Sequence, residues 1–501
     1  MELLQGLSIG LASALTPESL LYCLFGVFIG TLIGVLPGIG PIAAIAMLLP
    51  VTFGLPAVSA LIMLAGIYYG AQYGGSTTAI LVNVPGEVSS AVTAIDGYEM
   101  AKKGEAGKAL AAAAISSFTA GTIATFVIVI FAPILILGVL KFGPAEYFSL
   151  MVLGLVVSIV LARGSVLLAV GMMLFGLLLG LVGTDPNSGA TRFAFGQLWL
   201  ADQIDITTAA MGLYGVGEVI RNLVNGGGAK PALNRLTGLM PSWQDLKRII
   251  NPSLRGTAVG SILGVLPGGG AVLASFAAYT LEKKIADKPE RFGRGAIEGV
   301  AGPEAANNAG AQTAFIPMLS LGIPSNPIMA LMIGALIIQG VQPGPNVMTQ
   351  QPELFWGIIA SMWVGNLMLV VLNLPLVGLW ARLVSVPYHI IFPVILAFCC
   401  IGTFAVSNSV WDVFLMAGFG LVGYFLVSIG CELAPLLLGF VLGPMLEENL
   451  RRAMNLSRGD PTVFITEPIS AVLLATAVLF LALLIIPSFV RTREEAFVED
   501  D

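Results

Sequence analysis

Charge is what this sequence has least of. Only 10% of its 501 residues are Asp, Glu, Lys or Arg, against about 25% in soluble domains. The shortage is regional: Ser19–Gly86, Ala109–Leu140, Ala305–Pro352 and Pro468–Val490 carry no charged side chain. That excludes an ordinary soluble globular chain, and no basic run is present to hold nucleic acid. A single histidine, His389, excludes an HExxH metal site and reads as structural or interfacial. The four cysteines, Cys23, Cys399, Cys400 and Cys431, lie in apolar surroundings without CxxC spacing. They exclude a disulfide framework or metal cluster and read as small core residues. No GxxxxGK[ST] phosphate loop occurs, which excludes that route to ATP. The membrane also offers no nucleophile–base set, aspartate pair or metal cluster for an intramembrane enzyme, so enzymatic activity is not expected.

Apolar length is abundant. A spanning helix needs about 20 apolar residues, so the chain holds roughly a dozen membrane segments. The opening "MELLQGLSIGLASALTPE" lacks a basic start and carries Glu2; it reads as an interfacial or short membrane helix rather than a signal peptide. Expected crossings are 109–140, 147–162, 166–183, a shorter 206–220, 354–381, 388–405, 413–429, a shorter 433–446, and 468–490.

Two of these apolar stretches are broken. "GVLPGIGP", Gly34 to Pro41, returns as "GVLPGGGA", Gly264 to Ala271, 230 positions later. Proline removes a backbone donor and glycine lets the chain turn. Irregular backbone at membrane depth survives only where protein or a water-filled cavity satisfies it. Each phrase therefore predicts the tip of a re-entrant hairpin or a helix break. The second copy favours a hairpin, since only about 26 residues separate Arg255 from Lys283, too few for two crossings.

After the first phrase comes "GGSTTAILVNVPG", Gly74 to Gly86, and after the second "AGAQTAFIPMLSLGIPS", Ala309 to Ser325. They read as equivalents, the second four residues longer. Loop charge then tests orientation, because cytoplasmic loops are enriched in Lys and Arg. "LLPVTFGLPAV" is uncharged and its counterpart "LEKKIADKPERFGRGA" is basic; "DGYEMAKKGEAGK" carries three lysines and its counterpart "QGVQPGPNVMTQQPE" none. The bias reverses, so the halves are expected to be inverted repeats. The fold class is thus an all-α polytopic membrane protein of two inverted-topology repeats with re-entrant or broken helices: residues 1–222, a cytoplasmic linker at 223–253, a second repeat at 254–450, and 451–501 with a last helix and cytoplasmic tail. Arg451, Arg452 and Arg458 fall on the outer side in this scheme, against the charge rule.

Paired broken helices are the best sequence pointer to a transporter site. Helix starts suit carboxylates and helix ends suit Na⁺. The expected substrate contacts are Gly38, Ile39, Gly40, Ser76, Thr77, Thr78, Pro85 and Gly86 in the first half. In the second they are Gly268, Gly269, Gly270, Gln312, Thr313, Ser325 and Asn326. Asn83, Glu304, Asn307 and Asn308 form an expected cation set for Na⁺, with H⁺ as the alternative coupling ion. Glu304 is either a functional carboxylate or an interfacial cap at a helix start. No other cofactor is expected.

These segments resemble the large permease subunit of the tripartite tricarboxylate transporters, the TctA family. The likeness runs from about residue 10 to 490 through "GVLPGIGP", "YGGSTTAILVNVPGE", "DGYEMAKKGEAGKAL", "GTDPNSGATRFAFG", "GVLPGGGA", "PEAANNAGAQTAFIPMLSLGIPSNPIMALM" and "LAPLLLGFVLGPMLEENLRRAM". The resemblance implies a bacterial inner-membrane permease that imports citrate or other carboxylates on a cation gradient. It implies two partners, a small membrane subunit of the TctB type and a periplasmic solute-binding protein of the TctC type, and it puts weight on Pro37–Gly40, Pro267–Gly270 and Pro303–Ala309. Homodimerisation stays open. A channel and a single-component carboxylate transporter are the rival readings.

Overall fold

The computed structural model describes residues 3–36, 40–83, 85–139, 141–162, 165–185, 188–224, 241–266, 270–383 and 388–484. The first half holds α1 (Leu3–Ala14), α2 (Pro17–Val35), α3 (Pro41–Leu48), α4 (Ala57–Val82), α5 (Ala91–Lys102), α6 (Ala106–Val139), α7 (Pro144–Leu161) and α8 (Val166–Gly180). A small antiparallel ladder follows, β1 (Gly183–Thr184) on β2 (Thr191–Arg192), then the single turn α9 (Leu198–Ala201). α10 (Ile206–Ala210) and α11 (Gly217–Val224) form one helix joined by a π turn at Met211–Val216. The second half holds α12 (Trp243–Val265), α13 (Gly270–Ile285), α14 (Glu298–Thr313), α15 (Phe315–Leu321), α16 (Pro327–Ile338), α17 (Val347–Gln350) and α18 (Pro352–Asn373). It closes with α19 (Val377–Leu383), α20 (Tyr388–Ser407), α21 (Val410–Ser428), α22 (Leu433–Leu456), α23 (Val463–Thr466) and α24 (Pro468–Leu483).

Among the described residues, five helices are long and apolar enough to cross a membrane, and seven more are apolar but shorter. α21 shows why a bilayer is the solvent: Val410, Phe414, Leu421 and Phe425 all face outward, an apolar surface that water would not tolerate. The chain is a multi-pass membrane protein.

Close helix packing fixes the interior. On α2, a Cβ added at Gly26, Gly30 or Gly34 would lie 2.2–2.3 Å from the carbonyl oxygens of Met63, Ile67 and Ala71 on α4. On α12, the same holds for Gly256, Gly260 and Gly264 against Gly302, Ala306 and Gly310 on α14, again at 2.2–2.3 Å. Small residues every four positions let two helix backbones touch. The six glycines repeat at an offset of 230 and their partners at 239. The second offset continues to the helix ends: Asn83 closes α4 and Gly322 closes α15, both in the left-handed conformation with φ of 57° and 71°. Pro85 and Pro324 follow at the same offset. This corrects the expected register. "GGSTTAILVNVPG" and its counterpart do not differ by four residues; the extra nine positions lie earlier, between Gly264 and Gly302, where α13 is longer than α3 and the connection after it is longer too. Sequence likeness alone could slide along these small-residue stretches, whereas backbone contact cannot.

The tips at Pro37–Ile39 and Pro267–Gly269 lie outside the described residues, but the limbs of the second are visible. Arg255 of α12 reaches Glu282 of α13 through two bonds of 2.6 and 2.7 Å. That clasp ties the last turn of α13 to the middle of α12. The connections meet crosswise. Lys103, after α5, donates to the carbonyl of Arg294, before α14. Gln339, after α16, donates to the carbonyl of Thr52 at 2.8 Å.

Several boundaries move. The expected edge at 253–254 falls inside α12, which starts at Trp243 behind a Ser242–Asp245 capping box; residues 225–240 of the linker lie outside the described residues. The expected crossing at 354–381 is two helices, because α18 ends at Asn373 just before Pro375. The expected short helix at 433–446 runs on to Leu456, carried through its charged end by Glu447–Arg451 and Glu448–Arg452 ion pairs one turn apart. Cys23, Cys399 and Cys431 are buried, but Cys400 is exposed: adjacent helical positions point about 100° apart, so only one of the 399–400 pair can face inward.

Candidate functional site

α4 and α14 are the most enclosed helices of the two halves. Every residue of α14 from Gly299 to Thr313 is buried, as is every residue of α4 from Ser59 to Val82. Their polar side chains therefore need partners inside the protein. On α14, Glu304, Asn308 and Gln312 follow at intervals of four and share a face. That face meets α6. Glu304 accepts from Ser117 at 3.2 Å, Asn308 donates to Ser117 at 2.7 Å, and Gln312 accepts from Thr125 at 2.7 Å. Glu304 also accepts from Thr93 of α5 at 2.6 Å.

Glu304 is 1% exposed and lies in the interior of α14, six residues past its start. The reading of it as a cap at a helix start is thereby overturned. Asn307 donates to Glu87, in the loop after α4, at 2.9 Å, while its Oδ1 has no partner. Asn83 is exposed and serves as the left-handed terminator of α4.

A small cavity opens beside Glu304. It is lined by Tyr73, Ser76 and Thr77 of α4, Ser117 of α6, Glu304, and Asn373 at the end of α18. The space open to the centre of a water-sized sphere is about 20 Å³, room for one water or one ion. Nearby, Tyr69 Oη, both amide atoms of Gln72 and Tyr73 Oη are buried without a partner among the described residues. These three residues sit on one face of α4, at helical spacing.

The other expected contacts divide. Ser76 and Thr77 line the cavity; their hydroxyls donate to Gln72 and Tyr73 carbonyls, both at 3.1 Å. Thr78 donates to Gly75 at 2.9 Å, and Gly86 is wedged so that a Cβ would lie 2.3 Å from the carbonyl oxygen of Gly34. Pro85 is half-buried beside it. Thr313 bonds back to Ala309 at 3.0 Å, and Ser325 donates to Ala314 at 3.4 Å. Asn326 caps α16 through Met329 at 3.0 Å and lies near Gly270. Gly270 has φ of 44°, and Gly40 has open space where a side chain would stand. Gly38, Ile39, Gly268 and Gly269 lie outside the described residues. Sequence reasoning missed Tyr69, Gln72, Tyr73, Glu87, Thr93, Ser117 and Asn373. For Glu87 a signal existed: it ends the first charge-free run and, at the offset of 239, is the counterpart of Asn326.

A second polar cluster ties the ladder to α22. Arg451 donates to Asp185 at 3.2 Å and also bonds Glu447, while Arg192 donates to Glu447 at 2.8 Å. Arg451 and Arg452 are thus each paired with carboxylates.

A buried carboxylate thus lies among hydroxyls and amides on tightly packed helices of a membrane-embedded chain. Residues 20–438 match the tripartite tricarboxylate transporter TctA family. The chain belongs to that family. It is 58% identical over 501 residues, covering all of both chains, to an uncharacterised 52.8 kDa protein in the TAR-I ttuC′ 3′ region of Agrobacterium vitis. A second relative, an uncharacterised protein in the TAR-II ttuC′ 3′ region of the same organism, is 60% identical over 242 residues, 48% of this chain and all of the relative. No solved structure matches this TctA-family chain.

Proposed function

We propose that this chain is the large permease of a cation-coupled, binding-protein-dependent secondary transporter that imports citrate-like tricarboxylates or other carboxylates across a bacterial inner membrane. A small membrane subunit and a periplasmic solute-binding protein complete it. Membership of a tripartite family supports the partners. One observation carries the coupling. Among the described residues, the buried charged side chains are Asp96, Glu146, Asp185, Glu282 and Glu304, all acidic; no Lys or Arg is among them. A carboxylate substrate entering beside Glu304 meets no fixed positive charge, and unpaired buried charge is costly. Co-bound cations supply the missing charge.

The two halves are read as inverted repeats. The shared glycine ladder supports the repeat, and the crosswise meeting of loops supports the inversion. In an inverted pair, the first connection of one half lies on the same side as the second connection of the other. Each Pro-Gly tip then approaches the centre from its own side, and rocking of one half on the other exposes the site alternately.

The test is uptake of labelled citrate and simpler carboxylates into proteoliposomes holding both membrane subunits. The expected result is accumulation that requires the binding protein and an inward Na⁺ gradient. Equal uptake by this chain alone, without binding protein, supports the single-component reading instead.

A further inference from the structure

We propose that the small cavity beside Glu304 is the Na⁺ site, with Asn373 of α18 and Tyr73 and Thr77 of α4 as ligands alongside Glu304. This rests on the cation-coupled reading above and gives it a location that keeps Glu304 of the expected set but replaces Asn83, Asn307 and Asn308.

The atoms facing the cavity select the occupant. Thr77 and Ser76 donate their hydrogens to their own helix, which leaves oxygen lone pairs. Asn373 commits one amide hydrogen to Leu369 at 2.9 Å, while its Oδ1 is buried without a partner. Glu304 adds a carboxylate. Only Tyr73 keeps an uncommitted hydroxyl hydrogen; its oxygen has no partner. Tyr73 and Asn373 are 5% and 6% exposed. An anionic substrate needs donors, whereas the polar part of this wall, set among Leu110, Ala113, Ala114, Leu374 and Val377, presents mainly oxygen acceptors. The volume excludes a tricarboxylate and fits one ion. Hard oxygens around a single carboxylate suit a monovalent hard cation, and no cluster of three His, Cys, Asp or Glu occurs among the described residues to favour a transition metal.

The position explains how binding couples to movement. Thr77 and Tyr73 belong to the first half and Glu304 and Asn373 to the second, so an ion here bridges them. Asn373 also closes α18 where the chain breaks into α19, a place where a small tilt changes the ligand count.

The experiment is Na⁺ titration of thermal stability for the purified two-subunit membrane complex, at constant ionic strength with choline, alongside Na⁺-dependent uptake by the same preparation. Asn373→Ala is expected to raise the half-saturating Na⁺ concentration about tenfold or more, and Tyr73→Phe severalfold. Asn373→Asp keeps an oxygen ligand and is expected to retain Na⁺ binding, which guards against mere misfolding of the alanine variant. Asn83→Ala is expected to lower thermal stability, since alanine is strained at φ of 57°, but to leave the half-saturating Na⁺ concentration unchanged. An unchanged Na⁺ curve in Asn373→Ala and Tyr73→Phe, with wild-type uptake still requiring Na⁺, overturns the location alone and makes the cavity a water site only. A wild type that neither binds Na⁺ nor needs it for uptake overturns the location and the cation-coupled reading together.

Discussion

Adding one methyl group at Gly30 or Gly260 tests whether the glycine ladders set the geometry of the site. Each Cβ would lie 2.3 Å from a carbonyl oxygen of the facing helix, Ile67 for Gly30 and Ala306 for Gly260. Carbon and carbonyl oxygen normally approach to about 3.3–3.6 Å, so the helices must part by about 1 Å. Overpacking of this kind costs about 1–3 kcal/mol. The effect reaches function because α4 carries Tyr73, Ser76 and Thr77 into the cavity about two to three turns beyond Ile67. Gly171 on α8 and Gly418 on α21 are the controls, since a Cβ there would meet nothing within 4 Å. In a helix, Gly→Ala without a clash stabilises by about 1 kcal/mol. Thermal unfolding of the purified membrane complex should therefore fall for Gly30→Ala and Gly260→Ala and hold or rise for Gly171→Ala and Gly418→Ala, with uptake lost in step only in the first pair. Equal behaviour of the two pairs refutes the reasoning.

Single cysteines at Lys103 and Asp287 should be labelled only from the cytoplasm, and those at Gly54 and Thr349 only from the periplasm; labelling of 54 and 103 from one side breaks the inverted-repeat reading. Leu at Gly38 or Gly268 should abolish uptake with the protein still in the membrane, since these tips are proposed to let backbone meet substrate; full transport by both returns them to a packing role. Asp185 joins Arg192 and Arg451, so Asp185→Asn should loosen the ladder from α22 and cut binding-protein-supported uptake severalfold. A photocrosslinker at Asn187, outside the described residues, should capture that partner if the 183–205 segment docks it, and no capture together with normal uptake by Asp185→Asn places docking elsewhere.

The helical, membrane-embedded class was legible because charge-free runs leave few alternatives at this length. Glu304, Asn308 and Gln312 were legible too: polar residues four apart in an uncharged run stand out. Tyr69, Tyr73 and Asn373 were not. A tyrosine in an apolar segment reads as core, and whether its hydroxyl finds a partner depends on which helix lies opposite. Thr93 and Ser117 were hidden for the same reason, since their link to Glu304 spans about 190–210 positions. The two Pro-Gly phrases were visible in the sequence, yet the matching offsets of 230 and 239 in the helix contacts emerged only from the backbone, because alternations of Gly, Ala and Thr match at several offsets. Asn83 drew attention as a polar residue near a break, and its left-handed conformation shows a helix terminator.

The most direct measurement is accumulation by wild type and Glu304→Gln in proteoliposomes where the Na⁺ gradient, pH gradient and membrane potential are set independently. Wild-type uptake is expected to rise steeply with external Na⁺ and to survive collapse of the pH gradient at fixed potential. Glu304→Gln is expected to need about tenfold or more Na⁺ for half-maximal uptake. Accumulation by the wild type in Na⁺-free medium, driven by a pH gradient alone, would contradict Na⁺ coupling.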